Sequence, residues 1–144
     1  MMLNELLERL IWQENELYNL YKLGETFATY ERPEFADTFQ LLAEEELRHR
    51  KTLEDMLSEV SLEGTAVIDY LDSLSIELLL SDGRIEPPSL EELVVGALIR
   101  EKHSYELYLR LSEILEGSLG HIFRMMAEEE LKHAYRLKLI YEGL

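Results

Sequence analysis

The sequence contains no cysteine. Disulfides, iron–sulfur ligation, thiolate zinc sites and cysteine nucleophiles are therefore excluded for this chain. Basic residues are also scarce, with 14 Lys and Arg against 30 Asp and Glu, which gives a formal net charge of −16. Since nucleic acids and anionic membrane surfaces are bound through clustered Lys and Arg, we expect neither of them as a partner.

Long apolar runs are missing as well. No stretch approaches the roughly 20 apolar residues that are needed to span a bilayer. The first ten residues carry two acidic side chains, Glu5 and Glu8, and lack a basic start followed by an apolar run. We therefore expect no secretory signal and a cytoplasmic location.

Helix-breaking residues are few, with three prolines and seven glycines among 144 residues. Apolar residues recur at the three-and-four spacing of a helix face in four segments, which predicts an all-α fold. A single domain over residues 1–144 is large enough to bury a core without crosslinks. The predicted helices cover about residues 4–30, 33–59, 90–116 and 119–142.

Local signals set the ends of these helices. Pro33 suits the first turn of the second helix. Ser89, with Glu92 three residues later, is typical of a helix start and predicts the beginning of the third helix. Gly117 predicts its end, whereas Gly24 weakens the prediction that the first helix is unbroken.

The order of the helices predicts two hairpins with short turns, joined by one long crossover over residues 60–89. A helix of 24 residues is roughly 36 Å long. A connection of this length can return along the whole bundle before the third helix begins. A bundle with alternating up and down helices would need only a short loop there.

An internal repeat relates the two hairpins. Residues 39–49, FQLLAEEELRH, match residues 123–133, FRMMAEEELKH, 84 positions later. Glu14 and Tyr21 match Glu101 and Tyr108, 87 positions later. Two equivalent hairpins predict a pseudo-twofold bundle in which equivalent residues meet near the axis.

Carboxylates interrupt the apolar stripe of every helix, and the second and fourth helices add a histidine one turn later. Burial of an unpaired carboxylate costs several kcal/mol, and no Lys or Arg lies on these stripes. Two divalent cations would neutralise four carboxylates, and a Glu on two helices plus Glu-x-x-His on the other two is the ligand pattern of di-iron and di-manganese bundles. The predicted metal ligands are Glu14, Glu46, His49, Glu101, Glu130 and His133.

Neighbouring glutamates make the identity of some metal ligands ambiguous. Glu45 and Glu129, four residues before the histidines, compete with Glu46 and Glu130, although the latter two fit the apolar stripes better. We expect Glu45 and Glu129 on solvated faces, because Glu is rarely buried unpaired. Glu16 competes with the predicted ligand on the first helix, but it lies about 200° round that helix.

Two tyrosines lie two turns after the inward glutamates of the first and third helices. The hydroxyls of Tyr21 and Tyr108 could hydrogen-bond a ligand carboxylate. They could equally be core tyrosines whose hydroxyls are satisfied elsewhere, and the sequence leaves both interpretations open.

The motifs AEEELRH at residues 43–49, AEEELKH at 127–133 and EKHSYELY at 101–108 resemble the rubrerythrin-like branch of the ferritin-like di-iron carboxylate proteins. The resemblance spans all four predicted helices and implies a ferritin-like bundle with two iron ions. It implies that Glu46 and Glu130 bridge the metals. The remaining ligands would divide between the two irons as Glu14 with His49, and Glu101 with His133.

The resemblance also implies an activity. The diferrous centre would react with O2 or H2O2, and the protein would commonly be a homodimer. Ser104 stands where rubrerythrins carry a further glutamate, and the cysteine-bound iron that delivers their electrons is absent, so we expect an external electron donor. An iron-binding, ferroxidase or storage protein is the alternative function, a purely structural metal bundle is a third, and manganese or zinc could replace iron.

Overall fold

The computed structural model describes residues 3–59 and 89–144. Within these ranges the chain forms four α-helices and no strand, so the predicted all-α class is confirmed for them. No helix in these ranges is both long enough and apolar enough to cross a membrane. The helices are α1 (Leu3–Glu31), α2 (Ala36–Glu59), α3 (Leu90–Ile114) and α4 (Gly117–Gly143), and a 3-10 helix (Pro33–Phe35) precedes α2.

The first helix is unbroken at Gly24. A Cβ atom at this position would lie 2.7 Å from two ring carbons of Phe39 on α2. Glycine therefore allows α1 and α2 to approach each other closely, and its presence reflects helix packing rather than a helix break.

The turn between α1 and α2 is short and hydrogen-bonded. The backbone N–H of Arg32 donates to Ala28 O at 2.8 Å, and the N–H of Phe35 donates to Arg32 O at 3.0 Å. Pro33 begins a 3-10 turn instead of the α-helix that we expected there, and α2 begins at Ala36.

The helix ends in the second hairpin differ slightly from the prediction. Ser89 caps α3 as expected, since its Oγ accepts a hydrogen bond from the N–H of Glu92 at 3.1 Å. The third helix ends at Ile114, two residues before the predicted end, because Leu115 is extended. Gly117 has a φ of +72°, a conformation that glycine adopts without strain, and it begins α4.

The apolar core forms two clusters at opposite ends of the bundle. The first cluster combines the start of α1, the end of α2, the end of α3 and the start of α4. The second combines the four opposite helix ends. Antiparallel pairing of α1 with α3, and of α2 with α4, follows from this arrangement.

This pairing separates the end of α2 from the start of α3. Met56 belongs to the first cluster, whereas Leu90 belongs to the second. A chain that leaves α2 therefore has to reach the far end of the bundle before α3 begins. The predicted crossover itself lies outside the described residues, apart from Ser89.

The repeat appears as a pseudo-twofold arrangement of aromatic side chains. The rings of Tyr21 and Phe39 have centroids 6.5 Å apart, and the equivalent Tyr108 and Phe123 have centroids 5.8 Å apart. These pairs lie in opposite core clusters and border a polar layer between them.

Candidate metal centre

A layer of buried charged side chains separates the two apolar clusters. All four helices contribute to it through the positions that the sequence singled out. The four glutamates and His133 are 0% exposed, and His49 is 3% exposed. The six predicted ligands therefore meet in the interior, in agreement with the face on which the helical period places them.

The first group of converging atoms surrounds His49. Its Nδ1 lies 2.6 Å from Oε1 of Glu130, 3.6 Å from Oε2 of Glu46 and 3.7 Å from Oε2 of Glu14. One atom from each of these four side chains lies within 4.8 Å of the others, so the group could hold a metal ion.

The second group surrounds His133. Its Nδ1 lies 2.8 Å from Oε1 of Glu46, 3.4 Å from Oε1 of Glu101 and 3.9 Å from Oε1 of Glu130. These four side chains also offer atoms within 4.8 Å of one another. Glu46 and Glu130 belong to both groups, which is the placement that bridging ligands require.

Several buried atoms of this layer have no hydrogen-bond partner. Oε2 of Glu14, Glu46, Glu101 and Glu130 are among them. Oε1 of Glu130 and Nδ1 of His49 lie 2.6 Å apart as an ion pair but lack the geometry of a hydrogen bond. Buried polar atoms are normally paired, and each unpaired one costs about 1–3 kcal/mol. Divalent cations would satisfy these oxygen and nitrogen atoms together, so the residues fit such ions.

Tyrosine hydroxyls fix the two glutamates that belong to only one group each. Tyr108 on α3 donates to Oε1 of Glu14 on α1, and Tyr21 on α1 donates to Oε1 of Glu101 on α3. The sequence left two interpretations of these tyrosines open. The structure agrees with the first, because both hydroxyls hydrogen-bond the carboxylate of a candidate ligand. Each bond crosses between the hairpins and leaves Oε2 of the glutamate buried without a hydrogen-bond partner.

The rival glutamates contact the far side of the histidine rings. Glu129 Oε2 accepts a hydrogen bond from Nε2 of His49, and Glu45 Oε2 accepts one from Nε2 of His133 at 2.5 Å. Neither glutamate contributes to the two groups of converging atoms. With Nε2–H donating in this way, loss of the Nδ1 proton would present the Nδ1 lone pair to a metal in the layer, which is the tautomer that a metal ligand needs.

The expectation that these glutamates are simply solvated is wrong for Glu45. Its side chain is only 13% exposed, and its second oxygen, Oε1, accepts a hydrogen bond from Nη1 of Arg136 at 2.8 Å. Glu129 is 42% exposed but also bonded to a histidine. Sequence reasoning missed both roles, because each glutamate bonds the histidine of the other motif and spacing within one helix does not reveal such a contact.

A second buried polar contact lies beside the layer, between α1 and α3. Gln13 Nε2 donates to Oγ of Ser104 at 3.2 Å, and both side chains are buried. Oε1 of Gln13 has no partner. Ser104 was identified from the sequence, whereas nothing in the pattern distinguished Gln13.

Protonation of the layer follows from burial and close charges. Burial raises the pKa of Glu130 and of Glu101, and the neighbouring carboxylates raise both pKa values further. Burial also raises the pKa of Glu46, but the hydrogen bond from His133 and the close charges of both histidines outweigh it and lower that pKa to about 2. Burial lowers the pKa of each histidine, yet the facing carboxylates outweigh it and raise both values.

The metal-free layer is therefore expected to hold protons on its histidines and on some of its glutamates. Metal ligands must give up these protons, so cation binding would release them.

No family model, no curated protein and no solved structure matches the chain, so the interpretation of this centre depends on its geometry.

Proposed function

We propose that this chain is a ferritin-like di-iron carboxylate protein of rubrerythrin-like type that reacts with O2 or H2O2. The observation that carries the proposal is the pair of buried Glu/His groups that share Glu46 and Glu130. Four carboxylates and two histidines between apolar clusters form a ligand set of the kind known from di-iron and di-manganese bundles.

Charge balance supports two divalent cations. Four ionised glutamates carry four negative charges, which two such cations neutralise. With a single cation, two of the buried carboxylates would still need protons or protonated histidines to balance their charge. Neutral histidines complete the coordination without adding charge.

Iron is the proposed metal because of the resemblance in the motifs around both histidines. Carboxylate and imidazole ligands suit several first-row metals, so manganese and zinc are the alternatives to be tested. Analysis of the metal content of natively purified protein separates the three.

The contacts support the following roles for the individual side chains. Glu46 and Glu130 would bridge the two cations, Glu14 and His49 would complete the first, and Glu101 and His133 the second. Two Fe(II) ions held by these residues would supply electrons to O2 or H2O2. Four side chains per cation leave coordination positions for a small oxidant.

The apolar surroundings of the layer would keep water away from a reaction that takes place there. Phe39 and Phe123 are fully buried on either side of it, as is Leu10. These apolar side chains exclude water and limit the loss of reactive species. Reduction of H2O2 to two waters takes two electrons and two protons, and the chain has no cysteine-bound iron to relay electrons. We therefore propose that an external reductant supplies these electrons.

Stopped-flow absorbance tests this function. Protein loaded anaerobically with two Fe(II) per chain is mixed with O2 or H2O2, with and without a reductant. We expect oxidation with stoichiometric metal and repeated turnover when reductant is present. His133→Gln should lose the reaction, whereas His121→Gln, at an exposed position of the same helix, should retain it.

Other outcomes separate the alternatives. Oxidation followed by iron uptake far beyond two per chain would favour an iron-storage protein. Bound metal without oxidation by either reagent would reject the oxidoreductase and favour a structural centre. Homodimerisation is part of the proposal and is tested by the sedimentation of the metal-loaded chain.

A further inference from the structure

The internal repeat diverges over the three positions that follow each histidine, and the last of these pairs bears on the metal centre. Arg136 on α4 is equivalent to Thr52 on α2, which lies 84 positions earlier, so the repeat has an arginine in one copy and a threonine in the other. We propose that this difference makes the two metal positions unequal, so that the cation held by the His133 group is released more slowly than the cation held by the His49 group. This inference rests on the proposed function, because it requires two bound cations.

On the His133 side, the outer carboxylate is held at both of its oxygens. Glu45 Oε2 accepts from Nε2 of His133 at 2.5 Å, and Oε1 accepts from Nη1 of Arg136 at 2.8 Å. The guanidinium of Arg48 lies 4.0 Å from the same Oε1, but its side chain is 73% exposed. Arg136 is therefore the cation that fixes Glu45.

On the His49 side, the equivalent carboxylate bonds one side chain of the described part of the chain. Glu129 contacts Nε2 of His49, and within residues 3–59 and 89–144 no Lys or Arg forms an ion pair with it. Its side chain is 42% exposed, so its other oxygen is open to water. The hydroxyl of Thr52 donates to Arg48 O of its own helix at 3.0 Å.

Release of a cation requires its histidine to turn away from the layer. A ring whose Nε2–H is bonded to an anchored carboxylate turns less readily than a ring whose partner moves with the solvent. Partners of this kind typically change metal affinity by about 10–100-fold. Arg136 draws some negative charge from Glu45, and water does the same to Glu129. The two histidines therefore differ mainly in how firmly their partner carboxylate is anchored, and this difference sets the order of the two release rates.

The experiment measures metal release directly and needs no turnover. The full chain is loaded with two Zn²⁺ and mixed with an excess of a chromogenic chelator. We expect two phases of equal amplitude whose rates differ by about tenfold.

Exchange of the two repeat positions identifies the cause. Arg136→Thr should convert the slow phase into a second fast one. Thr52→Arg should slow the fast phase, because the new side chain starts from the position equivalent to Arg136. The double variant should restore two phases, and Arg124→Thr, at an exposed position of α4, is the control that should leave both rates unchanged.

Two results would overturn the inference while leaving the proposed metal binding intact. One is a single release rate in the unaltered chain. The other is two phases that persist in Arg136→Thr, since successive release from a coupled pair would produce them without any role for the arginine. A chain that retains no Zn²⁺ would reject the proposed centre together with the inference.

Discussion

Tyr108 on α3 donates a hydrogen bond to the buried carboxylate of Glu14 on α1, across the interface between the two hairpins. The repeat-related Tyr21 does the same for Glu101. The two helices that contribute no histidine to the centre, α1 and α3, are thereby linked by a hydrogen bond to each other's glutamate. The candidate ligands are thus held in place by the fold itself, before any cation binds.

Replacement of Tyr108 by Phe should destabilise the metal-free chain by about 1–3 kcal/mol, because Oε1 of Glu14 would remain buried without a donor. Urea denaturation measures the change. Tyr135→Phe is the matched control, since Tyr135 is 60% exposed and its variant should unfold like the original chain. Equal stability of all three proteins would show that this hydrogen bond does not support the fold.

Metal should stabilise the folded chain. Binding to the native state alone adds about 2.7 kcal/mol when the free metal exceeds the dissociation constant a hundredfold. We expect Tm to fall on chelation and to recover on addition of metal. A Tm that does not change after verified metal removal would contradict the charge argument for the centre.

Stability of the metal-free chain should fall as pH rises. The pKa values of Glu101, Glu130 and both histidines are raised in the folded chain, for the reasons given above. Groups of this kind stabilise the fold fully below their unfolded pKa and lose that contribution as pH rises through the folded pKa. The pKa of Glu46, lowered to about 2, acts in the opposite direction but only as pH falls below the ordinary range of a glutamate.

Between about pH 5 and pH 8 the free energy of unfolding should therefore decrease for the metal-free chain. The zinc-loaded chain is the comparison, because deprotonation strengthens metal binding and its stability should increase over the same range. Parallel trends for the two forms would contradict the protonation states inferred for the layer.

A pair of glycine variants tests the packing of α1 on α2. Gly24→Ala places a methyl group 2.7 Å from the ring of Phe39 and should cost about 1–3 kcal/mol. Gly96→Ala is the control, because its Cβ meets nothing within 4 Å, and a helical alanine there should add about 0.5–1 kcal/mol. Both values come from chemical denaturation.

The sequence predicted the helices and the inward carboxylates because both follow from a single period. One face of a helix repeats every three to four residues, so a charged residue such as Glu14 on an apolar stripe has to be buried. The contact between Glu45 and His133 could not be obtained this way, since it joins α2 to α4 and depends on the spacing and rotation of two helices. Gly24 was likewise ambiguous, because its close neighbour Phe39 belongs to another helix.

The helix ends were the other imprecise feature. Pro33 fixes φ but is compatible with a 3-10 turn as well as with an α-helix, and hydrogen bonds to Arg32 and Ala28 decide between them. Leu115 carries no sequence signal for a helix end. Its extended backbone is set by the turn into Gly117.

The central claim is that two cations lie in the layer and share two glutamates. A crystal structure of the chain at full metal loading, with the metals located by their anomalous scattering, tests this most directly. We predict two metal peaks per chain, both within coordination distance of Glu46 and Glu130, with one histidine on each. A single peak, or either of these glutamates turned to solvent at full loading, would contradict the account.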